Sequence, residues 1–269
     1  MAYVYTIIII LIILFVLYLY LIAPKKSSQA IEKFRNVHLA HRGLHGDGVP
    51  ENSMKAFSLA VESGFGIELD VHKTLDDKVV VIHDSNTMRV CGVEKMIEES
   101  TYEELCELSL ENTEEKIPLF KDVLTLVNGK VPLLVELKSK GSEIISCPYV
   151  VELLDSYNGD YCIESFNPLI VAWFKKNRPD IVRGQLSSKI KTVGKDTFKD
   201  KLLGFMITNL MTNFMAKPNF IAYDYRYISN LSFKLCKTIF KAPIFLWTLK
   251  GKEVQDKFEG KYFGYIFEK

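Results

Sequence analysis

From Val37 onward the chain repeats one pattern, a short apolar and β-branched run followed by a longer segment of helical period. The runs predict strands over Val37–Ala40, Gly66–Val71, Val131–Lys138, Tyr161–Ser165, Val182–Leu186, Phe220–Tyr223, Ile244–Thr248 and Phe263–Phe267. Between them, helical spacing predicts Ser53–Ser63, Leu119–Val127, Tyr149–Tyr157, Pro168–Lys176, Asn230–Phe240 and Lys252–Phe258, with Phe205–Met215 ambiguous. Eight buried strands separated by helices, at this length, predict a parallel α/β architecture of the TIM-type (β/α)8 barrel over residues 36–269. A doubly wound open sheet would use the same elements. The chain has neither G-x-G-x-x-G nor a Walker loop, which counts against a nucleotide-binding open sheet.

One element breaks the alternation. Val79–Ile82 follows the second strand after only Thr74–Lys78, too short a link for a parallel crossover, so it returns as a hairpin with His83 and Asp84 at its far end. Residues 85–116 then read as a small insertion with one helix near Tyr102–Leu108.

The amino terminus is of another kind. Val4 to Ala23 holds no charged residue, and about twenty residues at 1.5 Å rise match the ~30 Å hydrocarbon core of a bilayer. Tyr3, Tyr5, Tyr18 and Tyr20 fall near its ends, where amphipathic rings suit the headgroup boundary, and Pro24 stops the helix. A cleaved signal peptide is the competing reading, but no Lys or Arg precedes the run and no small-x-small site follows it. Residues 1–24 are therefore expected to be a single-pass anchor in the cell membrane. Residues 25–35 form a polar linker, whose Lys25, Lys26, Lys33 and Arg35 place the following domain in the cytoplasm by the positive-inside rule. Five scattered cysteines without C-x-x-C spacing agree with a reducing compartment. With 34 Lys and Arg against 33 Asp and Glu, nothing favours nucleic acid as a partner.

In a barrel, chemistry gathers at the carboxyl ends of the strands. There the chain places His41 and Arg42, then Glu68 and Asp70, then Glu136 and Lys138. Residues two apart on a strand share a face, so Glu68 and Asp70 point the same way, as do Glu136 and Lys138. Inward carboxylates repel unless a cation neutralises them, and three on neighbouring strands suit a hard divalent ion such as Mg²⁺ or Ca²⁺. The same residues would also serve as a buried ion-pair network with Lys138 and Arg42. His41 and His83 flank the acids and suit proton transfer, since an ordinary imidazole titrates near ~6.5. His72 shares the Glu68/Asp70 face and reads as structural; His38 and His45 carry no signal beyond proximity.

The stretch HRGLHGDGVPENSMKAFSLAVESGFGIELDVHKTLDDKVVVIHD closely resembles the signature of the glycerophosphodiester phosphodiesterase family. Its pattern is HRG, PEN with Ser or Thr, a Glu-x-Asp-Val strand and a strand ending in His-Asp. IPLFKDVLTLV, VELK, SFNP at Ser165–Pro168 and LWTLK around Trp247 follow in order. The resemblance implies a β/α barrel with a small insertion after the His-Asp strand. It implies Glu68, Asp70 and Glu136 as ligands of one divalent cation, and His41 and His83 as the acid–base pair. Arg42 and Lys138 would hold the phosphate, Glu51 and Asn52 would line the mouth, and Trp247 would pack on the glycerol moiety.

Two positions depart from the family pattern. Asp77 stands where the hairpin turn has Gly, and Ile266-Phe267-Glu268 replaces a closing Ile-Thr-Asp, which leaves substrate contacts at the last strand open. The expected reaction is hydrolysis of glycerophosphodiesters to glycerol 3-phosphate and an alcohol. Alternatives are lysophospholipase D action on membrane lysolipids and a non-catalytic tethered barrel. Headgroup preference, metal identity and the division of acid and base between the histidines stay open.

Overall fold

The computed structural model describes residues 1–26, 29–139, 144–191 and 197–269. Nine strands form one sheet: β1 His38–His41, β2 Gly66–Lys73, β3 Val79–Val81, β4 Leu133–Leu137, β5 Tyr161–Ser165, β6 Arg183–Ser187, β7 Phe220–Asp224, β8 Ile244–Lys250 and β9 Gly264–Glu268. Eight run parallel in the order β1-β9-β8-β7-β6-β5-β4-β2, and β1 pairs back onto β2, so the sheet closes into a barrel. An open sheet would leave two edges, whereas closure pairs them.

β3 is the expected hairpin, antiparallel to β2 through Val71↔Val81 and Lys73↔Val79. In its turn Asp77 takes φ 61°, the left-handed region that Gly fills most easily and that Asp tolerates. The insertion has a small core of its own. Val80 and Ile82 pack with Val90, Ile97, Leu105, Leu110, Ile117 and Leu119. It holds the helix Tyr102–Cys106, opened by a Thr101/Glu104 capping box, and also a short helix Met88–Cys91.

Inside the barrel, large and small residues alternate. A Cβ on Gly184 would lie 2.1 Å from the Phe220 ring, and one on Gly264 would lie 2.5 Å from the Phe245 ring. Both glycines exist to admit a neighbouring aromatic ring into a closely packed layer. Leu39, Leu134, Cys162, Phe220, Phe245 and Ile266 belong to this interior cluster. Helix starts follow local capping chemistry. Ser53 accepts from Ala56 N–H ahead of Met54–Glu62, and Asn167 accepts from Leu169 N–H ahead of Pro168–Asn177 with Pro168 in its first turn. The ambiguous Phe205–Met215 stretch divides between the end of helix Phe198–Thr208 and the start of Asn213–Ala216.

The helix Ala2–Ile22 contains a span, Tyr3–Ile22, long and apolar enough to cross a membrane, with mean hydropathy 2.9. Its last turn docks on the barrel: Ile22 is buried, and its carbonyl accepts from Asn213 Nδ2 at 2.8 Å. The chain then passes beneath the barrel. Ile31 and Phe34, in the stretch expected as a polar linker, are buried among Leu39, Phe220 and Phe245 at the amino-terminal ends of the strands. The Arg35 guanidinium covers the Phe263 ring at 4.6 Å.

Candidate active site

His41 closes β1, and the backbone turns sharply after it: Arg42 takes φ 55°. That conformation costs a non-glycine residue of order 1 kcal/mol or more. It lets the Arg42 N–H donate to Glu68 Oε2 at 3.1 Å. It also carries the guanidinium to Glu51 at 2.8 Å, with its Nε 3.4 Å from Asp70 Oδ2. Burial works against the Arg42 cation, but Asp70, Glu51 and Glu68 hold its pKa above the ordinary value.

Glu68, Asp70 and Glu136 are all buried inside the barrel, on β2 and β4, where Asp70 and Glu136 are register partners. One oxygen of each lies within 4.8 Å of the others. Lys138 Nζ sits 2.9 Å from Asp70 Oδ1 and 2.7 Å from Glu136 Oε1, and Asn52 Nδ2 donates to Asp70 Oδ2 at 2.9 Å. Burial opposes ionisation of Asp70, but Lys138, His83 and Arg42 outweigh it and hold the carboxyl well below its usual range. Glu136 goes the other way, pushed up to about 7 by burial despite Lys138, and Glu68 rises by burial and by the neighbouring Asp70 and Glu136.

Three buried carboxylates thus face two cations, and two of the three resist ionising. A divalent cation would relieve that charge imbalance, and three convergent hard oxygen donors suit one. The residues fit a metal site.

The two histidines stand around this cluster. His41 Nδ1 is 2.7 Å from Glu268 Oε1, and its Nε2 is 3.9 Å from Glu68 Oε2. His83 Nδ1 is 2.6 Å from Asp84 Oδ1. Burial lowers the His83 pKa, partly offset by Asp70. Each imidazole therefore has its Nδ1 committed to a carboxylate.

Sequence reasoning missed several members of this group. Glu268 stood only as a departure from a family pattern. It proves to partner His41, with its pKa brought down to about 2 because His41 and Lys250 outweigh burial. Arg89 of the insertion bridges Glu51 at 2.6 Å and also reaches Asp84, tying the insertion to the mouth. Glu164 on β5 is the register partner of Glu136 and is almost wholly buried. Burial, with Glu136 and Glu68 beside it, pushes its pKa well above the ordinary carboxyl value. The alternation in Cys162-Ile163-Glu164 could have flagged it, since Glu164 shares the inward parity of Cys162.

His45 also belongs here, since a nitrogen of its ring lies within 4.8 Å of a ring nitrogen of His41 and a carboxylate oxygen of Glu268. His38 does not; it stacks on Tyr265 at 4.3 Å toward the other end of the barrel. His72 is buried and reaches the His83 carbonyl at 3.2 Å. Trp247 meets Phe166 edge-on at 5.6 Å, over the interior cluster.

Residues 41–222 match the glycerophosphoryl diester phosphodiesterase family. The chain belongs to this family. Its relative YhdW of Bacillus subtilis (strain 168) is 29% identical over 82% of this chain and 89% of its own length. The lysophospholipase D of Rattus norvegicus is 34% identical over 48% of this chain, a match that spans 44% of the rat protein. The Oleispira antarctica phosphodiesterase, solved with the product sn-glycerol-3-phosphate, shares the fold with TM-score 0.69 at 21% identity, covering 87% of this chain and 94% of that one. As a glycerophosphoryl diester phosphodiesterase family member, the chain is a phosphoric diester hydrolase.

Proposed function

We propose that the barrel hydrolyses glycerophosphodiesters to glycerol 3-phosphate and an alcohol, with His41 and His83 as the acid–base pair. The observation that carries this reading is two imidazoles, each with Nδ1 held by a carboxylate, standing around three convergent carboxylates. With Nδ1 committed to Glu268 or Asp84, each ring offers Nε2 for proton transfer. One takes the proton of the nucleophile, either water or the neighbouring glycerol hydroxyl, and the other returns a proton to the leaving alkoxide; where the glycerol hydroxyl attacks, water then opens the resulting cyclic phosphate to glycerol 3-phosphate.

Arg42 and Lys138 supply fixed positive charge for the phosphate oxygens as negative charge grows on them. Glu51 holds Arg42 in place, and Asn52 does the same for Asp70. A divalent cation, Mg²⁺ or Ca²⁺, held by Glu68, Asp70 and Glu136 would add Lewis-acid polarisation of the phosphoryl group. Trp247, set against Phe166, offers an apolar wall to the glycerol carbons.

A second reading, lysophospholipase D, is favoured by the membrane-length helix and by the rat relative of that name. The helix would serve as a single-pass anchor with the barrel on the cytoplasmic side.

The test is a substrate panel, glycerophosphodiesters beside lysophospholipids, assayed with Mg²⁺, Ca²⁺, Mn²⁺ or EDTA. EDTA-sensitive release of glycerol 3-phosphate is expected. Failure to release it from every glycerophosphodiester, with any metal, would refute the reading. A long-chain lysolipid preferred over glycerophosphocholine would select the second.

A further inference from the structure

The contacts of the amino-terminal helix determine which end of the barrel it leaves from. Tyr18 Oη lies 2.6 Å from Ser232 Oγ, in the first turn of helix Leu231–Thr238, which begins beyond the carboxyl end of β7. One turn further along both helices, the Ile22 carbonyl accepts from Cys236 Sγ at 3.4 Å. The two helices therefore run side by side from the mouth toward the underside. The chain continues that way, for Lys25 N–H donates to the Pro218 carbonyl just before β7 begins. Residues 1–17 accordingly stand beyond Ser232, on the side where the active site opens. At 1.5 Å per residue they extend about 25 Å, long enough to carry most of a bilayer crossing.

The rim on that side carries apolar side chains. The last turn of helix Phe198–Thr208 is fixed to it: Thr208 Oγ1 accepts from Ile190 N–H, the Ile207 carbonyl accepts from Ser187 Oγ, and Asn209 meets Asn230. Those partners all sit at or just beyond the carboxyl ends of β6 and β7. The helix turns Phe198, Leu202 and Phe205 outward, at 82%, 47% and 56% exposure, and Leu231 nearby is 62% exposed. Phe198, Leu202 and Phe205 follow i, i+4, i+7 spacing and share one face. Lys199 on the same helix is exposed, as are Lys189 and Lys191 in the segment bonded to its last turn. An apolar helix face edged by lysines suits the boundary between acyl chains and anionic headgroups.

We propose that helix Phe198–Thr208 and Leu231 seat in the surface of the bilayer crossed by the amino-terminal helix, holding the barrel mouth against lipid headgroups. The site then meets phosphodiesters carried by lipids within the membrane plane ahead of those diffusing in solution. The substrate half of this inference rests on the phosphodiesterase reading above; the docking half rests only on the helix crossing a bilayer.

The full-length protein in equimolar phosphatidylcholine and phosphatidylglycerol vesicles tests both halves. With brominated lipid, tryptophan at Phe198→Trp is expected to be quenched at least about twofold relative to the parent protein. Ile239→Trp, at the opposite end of helix Leu231–Thr238, is expected to show no added quenching. Equal quenching at the two positions, or none at either, overturns the docking. The double variant Phe198→Glu/Leu202→Glu is expected to cleave vesicle-borne lysophospholipid about tenfold more slowly while its rate on glycerophosphocholine is unchanged. An unchanged lysophospholipid rate, or an equal loss on both substrates, overturns the role of the rim. If the parent protein cleaves neither substrate, the phosphodiesterase reading falls, and the quenching pattern still decides the docking.

Discussion

The His41 imidazole and the Glu268 carboxylate lie 2.7 Å apart although 227 residues separate them in the chain. The contact exists because β1 and β9 are parallel neighbours, in register from His38↔Tyr265 to Ala40↔Phe267. Closure of the barrel brings the first strand against the last, and with them a histidine against its carboxylate. Lys250 on β8 holds the other Glu268 oxygen at 2.6 Å.

Glu268→Gln should therefore lower kcat by about a hundredfold or more with little change in KM, since an amide neither selects the imidazole tautomer nor stabilises imidazolium. Steady-state kinetics on a soluble glycerophosphodiester checks it. Loss confined to KM would show that Glu268 serves substrate binding instead.

The same carboxylate makes stability depend on acid. Its folded pKa is about 2, below the ordinary 4.5, so folding favours the ionised form. The stabilisation is complete above about pH 4.5 and is lost as pH falls through 2. The gap in urea midpoint between the parent protein and Glu268→Gln should be widest above pH 4.5 and narrow steadily toward pH 2. A gap that widens on acidification would contradict the assigned charge state.

His41→Ala and His83→Ala should each reduce turnover by about 10²- to 10⁴-fold, the usual worth of a positioned acid or base. Both side chains stand at the mouth, outside the apolar core, so circular dichroism and thermal melting should stay close to the parent. Activity unchanged in either variant would remove that residue from the pair.

A divalent cation should stabilise the fold, because Glu68 and Glu136 are held out of their ordinary ionisation range by burial and by their neighbours. A metal at a hundred times its Kd adds about 2.7 kcal/mol. Thermal melting should rise with added Mg²⁺ or Ca²⁺ and fall back with EDTA, and Glu136→Gln should blunt the rise. Identical melting curves with and without each cation would exclude the site.

Gly184→Val should destabilise the barrel by about 1–3 kcal/mol, since its side chain would enter the space of the Phe220 ring. Chemical denaturation measures this, and Gly184→Val/Phe220→Leu, which frees ring volume for the new side chain, should recover part of the loss.

Much of this protein can be read from local pattern. Alternation along Gly66–Val71 places Glu68 and Asp70 on one face whichever fold encloses them, and the short Thr74–Lys78 link permits only a hairpin. The SFNP stretch carries its own helix start, with Asn167 as cap and Pro168 in the first turn. Less legible were Glu164, Arg89 and His45, because an isolated Glu, Arg or His has no local signature of its partner.

The sequence by itself determined the strands, their order, the apolar helix and the inward parity of the acids, because each of these depends on residues within a few positions of one another. Tertiary structure decided the rest. The barrel rather than an open sheet, the pairing of His41 with Glu268, the plug made by Ile31 and Phe34, and the end of the barrel from which the apolar helix leaves all depend on contacts between distant segments. Side-chain period sets which way a residue points from its own strand; only closure of the sheet sets what it meets there.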